Sequence, residues 1–145
     1  MRSFPKDLVS KEVLASQTVT GPVQSTSIDL KFYLSAVFMV TVGAFAFSTT
    51  NRLDLVIEES DDNATWNEVP GDAVYQSKFG AGAIAVAKSL NGTADQSKTH
   101  MVPVYALKRY ARLSVKEVGT VSVTMSALAL QADARNYDAP EPTYT

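Results

Sequence analysis

Cysteine is absent from this chain. That removes disulfides, zinc–thiolate sites and thiol nucleophiles from consideration. Histidine is nearly absent too, since His100 is the only one in 145 residues. Any triad of nucleophile, histidine and acid would have to use it. It sits between Thr99 and Met101 at a loop-to-strand junction, and no G-x-S-x-G elbow occurs anywhere in the chain. A lone loop histidine reads as solvated rather than catalytic. Charge of one sign is also lacking. The net charge is −2, and the 13 basic residues are scattered, with no run longer than Lys108-Arg109. Binding nucleic acid takes clustered Lys and Arg to displace counterions from phosphate, so no nucleic-acid partner is expected.

Long apolar runs are scarce. The one suspicious stretch, residues 32–47, has 16 residues and contains Ser35, Thr41 and Gly43. A membrane helix needs about 20. The stretch is dense in Val and Phe and reads as one or two buried strands, so no membrane is expected. Residues 1–7 lack the apolar centre of a signal peptide. A glycine-rich phosphate loop is missing as well, because Gly80-Ala81-Gly82 has neither a third glycine nor a helix signal after it. Asn63-Ala64-Thr65 and Asn91-Gly92-Thr93 match the glycosylation pattern, but with no secretory signal they read as chance matches.

What is present is the composition of a single domain: 145 residues, 46% hydrophobic. A chain of this size buries about 68–70% of its unfolded surface and supports a core without staples. The strand signals are plentiful. Residues 16–20 are polar and β-branched, and Gly21-Pro22 closes them with a turn. In residues 25–30, Ile28 and Leu30 share a face. Residues 37–42 form a continuous apolar run, the pattern of a strand covered on both faces. In residues 52–59, Leu53, Leu55 and Ile57 face one way while Asp54, Val56 and Glu58 face the other. Residues 60–65 form a turn of short polar side chains, and residues 66–69 begin the return strand. Residues 83–89 could be a further strand, and residues 90–99 read as a loop.

The clearest alternation lies between residues 110 and 127. Ala111, Leu113 and Val115 face inward, with Arg112, Ser114 and Lys116 outward. After a turn at Val118-Gly119-Thr120, Val121, Val123, Met125 and Ala127 form the next inner face. Two such strands joined by a glycine-bearing turn predict a hairpin. Beyond Ala127, Leu128 and Leu130 take the apolar places, which predicts a bulge there. The expected fold is all-β: an antiparallel β-sandwich, jelly-roll-like, of seven to eight strands. It divides into an N-terminal arm at 1–14, the sandwich at 15–131 and an extended tail at 132–145. The arm is either a helical turn or an extended segment. The tail carries Pro140 and Pro142, which block both ladder and helix.

Candidate chemistry is thin. Glu58, Glu59, Asp61 and Asp62 cluster at a strand end and turn. Paired carboxylates can hydrolyse glycosides when one is buried and raised in pKa. Oxygen ligands in a turn can also hold calcium, but the spacing is not that of an EF-hand loop. The reading adopted is a wet hairpin tip, with Asp61 and Asp62 as weak cation candidates, no cofactor and no enzyme activity. Trp66, Tyr75, Tyr105 and Tyr110 are aromatics that could stack on sugars, though a Trp opening a return strand is more often core.

Two stretches together carry a resemblance. The first is the strand from Leu53 ending in Glu59-Ser60-Asp61-Asp62-Asn63, followed by Trp66. The second is Lys108-Arg109-Tyr110-Ala111-Arg112-Leu113, with Gly119 and a Val/Ser-rich strand after it. Gln17-Thr18-Val19-Thr20 and Ser27-Ile28-Asp29-Leu30 fit the opening strands. The pairing, over about residues 16–130, resembles the decoration or cement proteins of tailed-bacteriophage heads. It implies a virion protein on the outer capsid surface, bound to the major capsid protein and commonly trimeric at three-fold positions. Phe4, Leu8, Tyr137 and Tyr144 would then anchor the arms, since a few aromatic anchors carry most interface energy. A similar residue pair occurs in discoidin-like carbohydrate-binding sandwiches, which usually have glycine where this chain has Asn63. A phage neck or tail subunit and a hydrolase using the acidic cluster remain open at this point.

Overall fold

The computed structural model describes residues 8–69, 86–104, 106 and 108–134. Ten strand segments follow in order: β1 Val9–Val19, β2 Val23–Gln24, β3 Ile28–Asp29, β4 Tyr33–Val42, β5 Arg52–Ser60, β6 Asn67–Glu68, β7 Val86–Leu90, β8 Lys98–Pro103, β9 Tyr110–Val118 and β10 Val123–Ala134. A single 3-10 turn, Thr93–Asp95, precedes β8. All pairings among these strands are antiparallel. Sheet A has the order β1-β10-β4-β8. Sheet B has β2-β9-β5-β6, with β3 also on β9 and β7 also on β5. The all-β sandwich read from the sequence is therefore the fold.

The strand count exceeds the expected seven to eight because two strands are interrupted. β2 and β3 pair with successive stretches of β9, Val23 opposite Val115 and Ile28 opposite Ala111. β6 and β7 likewise share one edge of β5, with Glu68 opposite Glu58 and Val86 opposite Val56. The Val69 N–H donates to the Ile57 carbonyl between them, at 2.9 Å. Counting each pair as one strand leaves eight positions, ordered 1-8-3-6 and 2-7-4-5. First lies beside last, second beside seventh, third beside sixth and fourth beside fifth. That is a long hairpin rolled on itself, the jelly-roll arrangement.

Four sequence expectations need correction. β9 and β10 alternate as read, but they are not a hairpin: β9 belongs to sheet B and β10 to sheet A. The turn between them is an arch across the sandwich. Gly119 stands in it at φ +76, and a Cβ there would lie 2.0 Å from the Thr50 carbonyl oxygen, so only glycine fits this crossing. No bulge follows Ala127, because β10 pairs with β4 without interruption from Met125 to Ala132. The irregularities fall in β1 instead, between Glu12 and Leu14 and between Leu14 and Gln17. Residues 98–103, read partly as loop, form β8. Finally, among the described residues the core lies on one face of β4, while Val37 and Met39 on the other are partly buried. As for the arms, residues 9–14 lie within β1 and residues 132–134 within β10.

The core follows from the period of two. Phe38, Val40 and Val42 of β4 and Val123, Met125, Ala127 and Ala129 of β10 turn inward from sheet A. Leu53, Leu55 and Ile57 of β5 and Ala111, Leu113 and Val115 of β9 meet them from sheet B. Each large side chain buried here stabilises the fold by about 1.5–3 kcal/mol. No buried side-chain polar atom among the described residues lacks a hydrogen bond. Gln131, buried on the inner face of β10, bridges the sheets by donating from Nε2 to the Asp29 carbonyl at 2.7 Å.

Candidate contact surfaces

The carboxylate cluster comes apart on inspection. Asp62 faces its own turn: Oδ1 accepts from Ser60 Oγ at 2.8 Å, Ala64 N at 2.9 Å and Thr65 N at 2.7 Å, and Oδ2 accepts from Thr65 Oγ1 at 3.1 Å. These donors hold its carboxyl far below the usual carboxylate range, the Thr65 N–H first among them. Asn63 takes the left-handed position of this turn at φ 58, the place where a glycine would also fit. Asp61 projects into water and pairs with Lys108 at 3.2 Å. Glu58 pairs with Arg112 at 2.5 Å. Glu59 is buried and accepts from the Lys108 N–H at 3.3 Å. The four side chains thus serve four different partners, and no group of three metal-ligating side chains occurs among the described residues.

His100 lies on β8 opposite Val40, and its Nε2 donates to the Asp95 carbonyl at 2.8 Å. Asp95 in turn caps the short turn by accepting from the N–H groups of Asn91 and Gly92, each at 3.1 Å. Trp66 is partly buried with the Arg112 guanidinium 4.4 Å from its ring centroid, so that ring face is already covered. Tyr110 carries Arg109 at 4.8 Å. Tyr75 and Tyr105 lie outside the described residues.

Of the four candidate anchors, Leu8 is described and partly buried, next to the start of β1. Phe4, Tyr137 and Tyr144 lie outside the described residues. The register fixes where β1 begins beside β10. Val9 pairs with Gln131, on the neighbouring strand. The start of β1 and the end of β10 therefore lie together at one corner of sheet A.

The two outer faces differ sharply. Sheet B is charged and internally paired: Arg52 with Asp54 at 3.2 Å, Arg112 with Glu58, and Lys116 with Glu68, while Ser89 Oγ donates to Asp54 at 2.7 Å. Nearby, Arg109 reaches Asp29 through both Nε and Nη2. On sheet A the outward rows are almost free of charge. One row runs Glu12, Leu128, Met39, Met101 across the four strands, and the next runs Ser10, Leu130, Val37, Pro103. A third carries Ser126, Thr41 and Thr99, where the two threonine hydroxyls bond at 2.9 Å. Met101 is 63% exposed. Glu12, Met39, Thr41, Thr99, Ser126 and Leu128 line an open hollow of about 350 Å³ on this face.

Sequence reading missed this surface. Its signal was visible as the apolar pair Leu128 and Leu130 and the two-sided run at 37–42, but both were referred to the interior. Searches against protein-family models and against curated proteins find no match. No helix among the described residues is long and apolar enough to cross a membrane.

Proposed function

We propose that this chain is a decoration or cement subunit of a tailed-bacteriophage head, which binds the assembled capsid from outside and ties neighbouring subunits together. The observation that supports it is that the start of β1 and the end of β10 lie together at one corner of a jelly roll. Phe4, Leu8, Tyr137 and Tyr144 supply apolar anchors for that binding. The side chains of the acidic cluster are bound up in the domain itself, which fits a part whose work is contact. The partner in this reading is the major capsid protein, and the location is the capsid surface.

Co-sedimentation with purified expanded heads tests it. The full chain is expected in the pellet with heads and in the supernatant without them. A variant with Phe4→Ser, Tyr137→Ser and Tyr144→Ser keeps its fold and loses at least about tenfold in affinity, since aromatic anchors dominate such interfaces. Full-length protein that stays in solution beside heads would overturn the proposal.

A further inference from the structure

We infer that Asn91-Gly92 is a self-modification site, where the Asn91 side chain closes on the Gly92 nitrogen and reopens as aspartate or isoaspartate, and that Asp95 restrains the closure. Three observations lead there. First, Asn51, Asn63, Asn67 and Asn136 precede arginine, alanine, glutamate and tyrosine, whereas Asn91 precedes glycine. A side chain on the following residue crowds its own backbone nitrogen, and glycine leaves that nitrogen open to attack the asparagine. Second, Asn91 is exposed, and no hydrogen bond to its carboxamide occurs among the described residues. Third, the backbone does not need this glycine. Gly92 is extended at φ −145 and ψ 159, a conformation open to any residue. A Cβ there would meet nothing nearer than Asp95 Oδ2 at 3.9 Å, unlike the crowded Gly119.

The step needs only water and base. The Gly92 nitrogen gives its proton to solvent and bonds to the Asn91 Cγ. The Cγ–Nδ2 bond breaks and ammonia leaves, so the side chain and main chain form a cyclic imide. Water then opens either carbonyl: opening at Cγ gives aspartate, and opening at the main-chain carbonyl gives isoaspartate. Asp95 stands against the first event. Its Oδ2 accepts from the Gly92 N–H at 3.1 Å, which keeps the proton on the attacking nitrogen and fixes the nitrogen in place. Lys88 at 3.7 Å and the His100 bond to the Asp95 carbonyl at 2.8 Å hold Asp95 where it is. The consequence is local and structural. Residue 91 follows the fully buried Leu90 and opens the connection from β7 in sheet B to β8 in sheet A. Isoaspartate adds a methylene to that connection and sets a new charge beside Asp95. The inference is independent of capsid binding.

Peptide mass spectrometry on the full chain, aged at mildly alkaline pH, tests both parts. Isoaspartate is scored by methyl transfer from an isoaspartyl methyltransferase. The chain unfolded in urea is expected to convert at residue 91 ahead of every other asparagine. The folded chain should convert there at least about tenfold more slowly, the scale set by a hydrogen bond to a charged acceptor. Asp95→Ala, with its circular-dichroism spectrum unchanged, should close most of that gap. Asp95→Asn keeps an acceptor oxygen without the charge, and its rate should fall between the two; it also serves if Asp95→Ala does not fold. Gly92→Ala should fold as wild type and suppress conversion in both states. Unfolded chain that stays intact at residue 91, or Gly92→Ala converting as fast as wild type, would overturn the site. Folded protein converting as fast as unfolded, or Asp95 variants that convert no faster than wild type, would overturn the restraint.

Discussion

At the scale of single residues, Asp62 shows how a carboxylate can look like chemistry and be architecture. Four donors converge on it from Ser60, Ala64 and Thr65, and they favour the ionised form. Its pKa in the folded chain is therefore below that of the unfolded chain, near 3.9. The native state binds fewer protons in that range, so this contribution to stability is complete above about pH 5 and is lost as pH falls through the unfolded and then the folded value. Asp29 is lowered in the same direction, mainly by its hydrogen bond from Arg109. Urea titrations at several pH values should show stability falling between about pH 5 and 2.5. Asp62→Asn keeps the acceptor oxygen but not the charge, and its curve should be flatter across that window. Parallel curves for the two proteins would show that Asp62 does not couple to folding. The turn was legible in the sequence, because short Asx and Ser side chains bond their own backbone. The partners of the other acids were not. Arg112 is 54 positions from Glu58, and only the register of β5 against β9 brings them together.

At the scale of the elements, alternation fixed which side chains point inward but not which strands are neighbours. Leu113 and Leu130 illustrate both halves. Leu113 is fully buried between the sheets, as the period of two along 110–117 required. Leu130 has the same chemistry on an equally alternating strand, and it faces out. Leu113→Ala is expected to cost about 2–5 kcal/mol in chemical denaturation. Leu130→Ser, at a partly buried outward position, is expected to cost clearly less than that. Equal losses would mean that the face of β10 is misassigned. The hairpin expected at Gly119 failed for a related reason. A glycine turn between two alternating strands is compatible with a hairpin or with an arch, and the local pattern is the same. What decides is whether β9 finds β5 and β10 finds β4, a choice made by side chains some 60 to 90 residues away. The interruptions at β2/β3 and β6/β7 carried no hydrophobic signal, since the paired stretches are only two to five residues long.

At the scale of the molecule, the rolled order of the strands places everything that projects. One end of the sandwich holds the start of β1, the end of β10 and the Asp62 turn. One face is a lattice of ion pairs, each worth about 0–1 kcal/mol at a surface, whose collective effect is to keep that face wet. The opposite face is apolar and nearly uncharged. The sequence made the class of fold readable, through short alternating runs without helical crossovers. The apolar residues of the outer face of sheet A it concealed, because outward leucines and methionines look like core until pairing is known.

The account turns on where this protein sits, and electron cryo-microscopy of virions purified with the gene intact and with it deleted answers that most directly. Jelly-roll density is expected on the outer surface of intact heads, with both terminal segments reaching onto adjacent capsid subunits, and it should vanish from the deletion particles. Identical heads in the two preparations, or the missing density found at the neck, tail or interior, would contradict it.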